Sequence, residues 1–298
     1  MRNILNIRSQ AITILCLLPW LSGCLRSTRS VMQTHPPSQI LSSSLEVLAR
    51  DTAKRFDAIE SLNASVEIQA STGGGKEGQV VDYAAFSGYI LLRKPQDLRV
   101  ILFVPIAHVQ ALNMTSDGKT FTMLIPPRNR AITGSNVPST ESKNPLENLR
   151  PFVFTDALMI RGASIGDLIS LVTDDRIYQP DPTRKYVIDE PEYDFAVFHQ
   201  VPGSAELKTQ RVIHIGRATL MPYQQDIYDD KGQLATQATY DDYKKFGDIE
   251  FPSKITIVRP LDQLRLTVTI SKLTVNQKLE DDQFELKVPA NVQVQKLP

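Results

Sequence analysis

Cys24 is the residue whose neighbours spell out a reaction. It follows Leu21-Ser22-Gly23 and an apolar run, Ala11 to Leu18, that begins behind Arg2 and Arg8. A thiol is the nucleophile that a lipid-transferring enzyme requires, and small residues before it let extended backbone enter the transferase and peptidase sites. The run is too short to span a bilayer, and a positive start, an apolar core and a small-residue exit form the pattern of a cleaved signal. Residues 1–23 are therefore expected to be removed, leaving Cys24 at the head of the mature chain with a diacylglycerol thioether and an N-acyl chain as its covalent lipid. Cys16 leaves with the signal, so no thiol remains for a disulfide, a metal or nucleophilic catalysis.

The other chemistry-bearing residues form no recognisable motif. His35, His108, His199 and His214 are far apart and lack zinc-type spacing. Asp174 and Asp175 are adjacent, so their side chains diverge, and a solvated turn is the preferred reading over an acid–base pair. The glycine-rich stretch Gly73 to Gly78 is not followed by Gly-Lys-Ser/Thr opening an apolar helix, and reads as a hairpin loop instead of a phosphate cradle. There is no nucleophile elbow, HExxH or dinucleotide loop. This reading assigns no catalytic residue, no metal ligand and no enzymatic activity. The chain holds 33 basic and 33 acidic residues, and loss of Arg2 and Arg8 with the signal tips the balance to the acidic side. That charge argues against a nucleic-acid partner.

The elements that must carry any function follow from periodicity. After the signal, residues 24–44 are rich in Ser, Thr, Arg, Gln and Pro and read as a lipidated flexible tether, with one domain over 45–298. Ser43 with Glu46 three residues later is a capping-box pattern, and Leu45, Leu48, Thr52, Phe56 and Ile59 predict a helix with one apolar packing face. Leu62, Ala64, Val66 and Ile68 alternate with polar residues, as in a strand with one wet face. Similar runs predict strands at 83–93, 98–104, 109–115 and 120–125, and again at 186–188, 194–201, 210–215, 224–228, 234–243, 249–258 and 264–275. Between these sets, a polar loop is expected over 134–143, a helix over 145–158 and a short helix over 165–172. Leu98, Val100 and Leu102 on one side of a strand, with Ile101 and Phe103 on the other, call for cover on both faces, which a curved sheet closing over its own interior provides. That interior is either filled or open to lipid. If it is open, Ile90, Leu92, Val100, Leu102, Phe121 and Met123 are expected to line it.

Three phrases in order resemble the lipoprotein-localisation (Lol) carrier and receptor family: Phe86 to Pro95, Ser116 to Phe121, and Leu279 to Phe284 leading to Val288-Pro289. The resemblance implies a mainly β, α+β fold, an unclosed antiparallel β-barrel or half-barrel with helices plugging its concave face. With Cys24 lipidated, the chain looks more like the membrane-anchored receptor than the soluble carrier. Its implied role is an outer-membrane, periplasm-facing protein that binds acyl chains or lipoproteins, with a periplasmic carrier protein as partner and the membrane reached through the lipid anchor. Leu25 stands where, in the family's enteric pattern, an aspartate marks inner-membrane retention. A structural or assembly scaffold of the envelope is the alternative on the same fold. The chain is longer than the receptor, through residues 129–185 and at its C-terminal strands. Pro105-Ile106-Ala107 takes the place of the receptor's Pro-Leu-Gly, whose leucine protrudes; Ile106 is either a membrane or cargo tip or a residue folded back into the core.

Overall fold

The computed structural model describes residues 29, 31–74, 78–136 and 150–297. Cys24 and the expected signal lie outside them. In chain order the strands and helices are β1 (Gln33–His35), α1 (Leu45–Asp57), β2 (Ser61–Gly73), β3 (Val80–Asp82), β4 (Phe86–Arg93), β5 (Asp97–Phe103), β6 (Gln110–Ser116), β7 (Thr120–Ile125), β8 (Arg130–Ser135) and α2 (Pro151–Leu158). They continue with β9 (Leu168–Tyr178), β10 (Tyr186–Gln200), β11 (Leu207–Gly216), β12 (Met221–Tyr228), β13 (Leu234–Phe246), β14 (Ile249–Arg259), β15 (Leu264–Val275) and β16 (Gln293–Lys296).

Two compact units contain these elements, one of Met1–Pro36 with Ile177–Asp189 and one of Pro37–Arg176 with Glu190–Pro298. In the smaller unit β1 pairs in parallel with the start of β10, Gln33 opposite Tyr186 and His35 opposite Ile188. The His35 ring packs edge-on against Tyr186 at 5.4 Å. A strand thus lies within the stretch read as a flexible tether; its residues are all exposed, so backbone pairing and not apolar burial holds it.

The larger unit begins with α1, whose N-cap is Ser44 and not Ser43. Ser44 has extended backbone, and its Oγ accepts a hydrogen bond from the Val47 amide at 3.4 Å. Glu46 then falls on the second helical position, too early to reach back to the cap amide but well placed against the positive end of the helix. Leu48 and Thr52 are the buried face, as their spacing predicts.

The strands expected between 61 and 125 and between 186 and 275 are present. They form one unclosed sheet, running β10-β11-β12-β13-β14-β15-β2-β4-β5-β6-β7-β8-β16 through the larger unit. Strand β2 stitches the two runs together, pairing antiparallel with β15 on one side and β4 on the other. Strand β16 covers β8 in parallel. One face of each strand builds the core, with Leu62, Ala64, Val66 and Ile68 of β2 buried in alternation. The opposite side of β5 is less covered than expected: Ile101 and Phe103 are half-buried, and Phe103 meets Tyr89 edge-on at 6.4 Å.

Sheet curvature follows from the position of α2. This helix of 8 residues packs against both β6 and β14, which stand five strand spacings apart in the sheet order. A flat sheet would separate those strands by roughly 24 Å, twice the ~12 Å length of such a helix, so the sheet bends around it. Val153, Phe154, Ala157 and Leu158 bury themselves in the resulting concavity. Gly88 lets β4 and β5 approach in the bend, since a Cβ there would stand 1.9 Å from the Ile101 carbonyl oxygen.

Three local expectations change. The helix predicted over 145–158 is present from Pro151, and residues 145–149 lie outside the described residues. The segment 165–172 contributes to strand β9, because Ile169 and Leu171, two apart, pack against the cluster of Phe195, Val197 and Ile213. Asp174 and Asp175 consequently sit exposed in that strand and not in a turn. Residues Gly134 and Ser135, read as the start of a polar loop, close β8 through pairing with β7, Gly134 opposite Phe121.

Candidate functional site

The end of α1, the end of α2 and the sheet surround a cavity of about 430 Å³. Thr52 and Phe56 come from α1 and Ile59 from two residues beyond its end, spaced three or four apart so that one helical face looks inward. Leu158, Met159 and Ile160 close the second side as the chain leaves α2. Tyr240, Tyr243, Phe251 and Pro222 are the floor, supplied by β13, β14 and β12. Around the mouth stand Asp51, Lys54, Arg55, Asp248 and Glu250. The site is thus an apolar hollow with a rim of mixed charge.

Its polar groups are few. The Tyr243 hydroxyl donates to the Pro222 carbonyl at 2.7 Å, and burial raises its pKa. The Tyr240 hydroxyl is buried without a hydrogen-bond partner, and burial also raises its pKa well above the usual phenol value. A buried hydroxyl left unpaired costs about 1–3 kcal/mol. Near Tyr240 the Asp156 carboxyl is pushed up by burial, against the opposing pull of Arg211 and Arg161. Beside the mouth the Lys94 ammonium lies 3.9 Å from the centre of the Phe56 ring and donates to the Phe56 carbonyl, which fixes the last turn of α1.

The six residues proposed as cavity lining are in the main core. Ile90, Leu92, Val100, Leu102, Phe121 and Met123 are buried together with the inward face of α2, and none of them borders the 430 Å³ cavity. That cavity is lined instead by α1 and by the C-terminal run of strands. Thr52, Phe56 and Ile59 already belonged to the apolar helical face in the sequence; Tyr240 and Phe251 carried no signal beyond strand periodicity, and Pro222 lay outside the predicted strands.

Ile106 stands in solvent, 96% exposed. The Ala107 amide bonds the Pro105 carbonyl at 2.7 Å across it, and its φ is +68°. This is a tight three-residue turn with a β-branched residue in the left-handed region, where glycine is the easy choice. Strand register places Val80, Val81, Val109 and Leu261, all exposed, at the same end of the sheet. The cavity mouth, by the β13–β14 turn, is at the opposite end.

The histidines separate by environment. His108 and His199 are exposed, whereas His214 on β11 is mostly buried among Asp194 and Glu192 of β10 and Asp226 of β12. Burial alone would lower its pKa, but Asp226, Glu192 and Asp194 outweigh that and push it up to about 10. Spacing along the chain hid this cluster because its members meet across neighbouring strands.

An open β-half-barrel with helices in its concavity and an apolar cavity beside them is the class this architecture defines. A protein family described only as uncharacterized matches residues 187–288. No curated protein sequence matches the chain. Among solved structures the chain is similar to a LolA superfamily protein from Nitrosomonas europaea, at 13% identity over 80% of this chain and 97% of that one, with a TM-score of 0.48. A domain described as an outer membrane lipoprotein-sorting protein, from Vibrio parahaemolyticus, gives 13% identity, 80% and 95% coverage and a TM-score of 0.48. A DUF1329 family protein from Desulfovibrio piger gives 16% identity, 82% and 98% coverage and a TM-score of 0.47.

Proposed function

We propose that this protein is a lipid-anchored, non-enzymatic envelope protein of the outer membrane that binds acyl chains, free or carried by a lipoprotein, in the cavity beside α1. The observation that carries the reading is the cavity itself: about 430 Å³, floored by Tyr240, Tyr243, Phe251 and Pro222 and rimmed by charge. That volume is in the range of small-molecule sites, and each methylene transferred into an apolar hollow contributes about 0.8 kcal/mol. The unpaired Tyr240 hydroxyl offers one hydrogen bond to a ligand oxygen. The lipid at Cys24 holds the body at the membrane, and the exposed Ile106 turn with its apolar neighbours meets the bilayer or the cargo at the end of the sheet away from the cavity mouth.

The packed core under β4 to β7 favours the scaffold reading for that half of the sheet, so the test addresses the cavity directly. A hydrophobic fluorescent probe should bind the protein saturably and be displaced by fatty acids. Ala58, exposed and at the cavity wall, is the blocking position. Ala58→Trp should weaken binding at least tenfold while stability changes by no more than about 0.5 kcal/mol, as expected of a surface substitution. No saturable binding in the parent protein leaves the scaffold as the function.

A further inference from the structure

Away from the cavity, β10, β11 and β12 bring together a set of donors that no function given above uses. Asp194 and His214 are cross-strand partners, and Glu192 precedes Asp194 by two residues, on the same face of β10. The Nδ1 of His214 lies 2.7 Å from Asp194 Oδ1 and 3.8 Å from Glu192 Oε1. One donor atom from each of the three residues falls within 4.8 Å of the others. An ion with bonds of about 2.0–2.2 Å holds its ligand atoms roughly 3.3–3.6 Å apart, so shifts of about 1 Å in these side chains bring all three onto one ion.

We propose that Glu192, Asp194 and His214 form a divalent transition-metal site, with Zn²⁺ the best-matched ion.

Four observations carry this. Asp194 Oδ1 and His214 Nδ1 are buried 2.7 Å apart, and neither has a hydrogen-bond partner elsewhere. Glu192 Oε2 is occupied by the Tyr223 hydroxyl, which leaves Oε1 directed to the ring nitrogen and the shared point. Asp226 faces the other ring nitrogen, Nε2, at 3.5 Å, the position of the outer carboxylate that orients a metal-binding imidazole. Asp226 is itself held through Oδ1 by the Gln224 and Gln237 side-chain amides at 3.0 and 3.1 Å. Glu192 and His214 thus each have a supporting partner, Tyr223 and Asp226. The side chains of Glu192, Asp194 and His214 are 7%, 23% and 15% exposed, sheltered yet reachable.

Charge selects the same occupant. Three carboxylates surround one imidazole, and the neighbouring Arg176 is bonded to Glu190 at 2.6 Å while its guanidinium stacks on Tyr223. A divalent ion brings two positive charges where an imidazolium brings one. One nitrogen with two carboxylate oxygens favours zinc over calcium or magnesium, which prefer oxygen alone. Three protein ligands leave a coordination position for water. On binding, the ring nitrogen bonds the ion in its neutral form and any proton it carried leaves to solvent.

The test uses the purified full chain, stripped with a chelator and dialysed against Zn²⁺ at micromolar concentration. One zinc per chain by elemental analysis, with a rise in melting temperature on adding Zn²⁺, is expected. Asp194→Asn and His214→Gln should each weaken binding by 100-fold or more, and Asp226→Asn by about 10- to 100-fold. Asp282→Asn, on an exposed carboxylate far from the set, should leave it unchanged. X-ray absorption of the zinc-loaded parent protein should show nitrogen and oxygen ligands only, a readout that needs no variant to fold. Absence of zinc binding by the parent protein, or binding that survives both Asp194→Asn and His214→Gln, overturns the proposal.

Discussion

At Ile106 the chain accepts a conformation that its side chain disfavours. A β-branched residue at φ +68° is strained by about 1–3 kcal/mol, and here the side chain gains no burial in return. A strained apolar residue projecting into water is understandable if its contact is made outside the protein. Two substitutions separate stability from use. Ile106→Gly should raise stability by about 1 kcal/mol, the relief of strain less the entropy of the added glycine. Ile106→Glu should leave thermal stability nearly unchanged. In the unlipidated protein, where no acyl chain masks the effect, both should reduce association with lipid vesicles, Ile106→Glu more strongly, as measured by vesicle sedimentation. Full vesicle binding by Ile106→Glu would show that the turn is not a membrane contact.

At the scale of elements, the bend of the sheet depends on the close passage of β4 and β5. Gly88 has an ordinary backbone conformation, so its requirement is one of space: a Cβ would meet the backbone of Ile101 at 1.9 Å, and backbone cannot move aside as a flexible side chain can. Gly88→Ala should therefore cost about 1–3 kcal/mol through overpacking. A lower urea midpoint with an unchanged denaturant slope is the expected measurement. An unchanged midpoint would mean that the two strands can part there without cost. Strand β9 is the element whose type the chain misreported. Ile165, Leu168, Ile169 and Val172 have helical spacing, but Ile169 and Leu171 are the residues that find apolar neighbours. Tertiary burial outweighs propensity in a segment this short.

For the whole molecule, the lipid proposed at Cys24 is what would hold the protein at a membrane. Among the described residues no helix is long and apolar enough to cross one. Cys24 lies outside the described residues, so its chemistry rests on the sequence alone. Cys24→Ser should leave the signal in place and remove the acyl mass, which intact-mass spectrometry reads directly; the same mature mass in both proteins would refute lipidation. Two or three acyl chains bury tens of methylenes at about 0.8 kcal/mol each, enough for stable anchoring.

Local pattern was sufficient for most of the strands, for α1 and for a mainly β chain, because apolar alternation and three-to-four spacing are properties of consecutive residues; the half-barrel came from the family resemblance. Leu62 to Ile68 could be assigned to a core face, and Thr52, Phe56 and Ile59 to one side of a helix, before any contact was known. The cavity could not be placed in this way. Whether a buried face packs solid, as at Ile90 and Met123, or stands away from its neighbour, as at Tyr240 and Phe251, depends on how far α1 and α2 lie from a bent sheet. The Glu192–Asp194–His214 cluster was equally beyond reach of spacing, since its residues are joined by the register of β10 with β11. Sequence records which side of a strand is apolar; tertiary structure decides what lies opposite it, because strand register and sheet curvature are set by contacts between residues far apart in the chain.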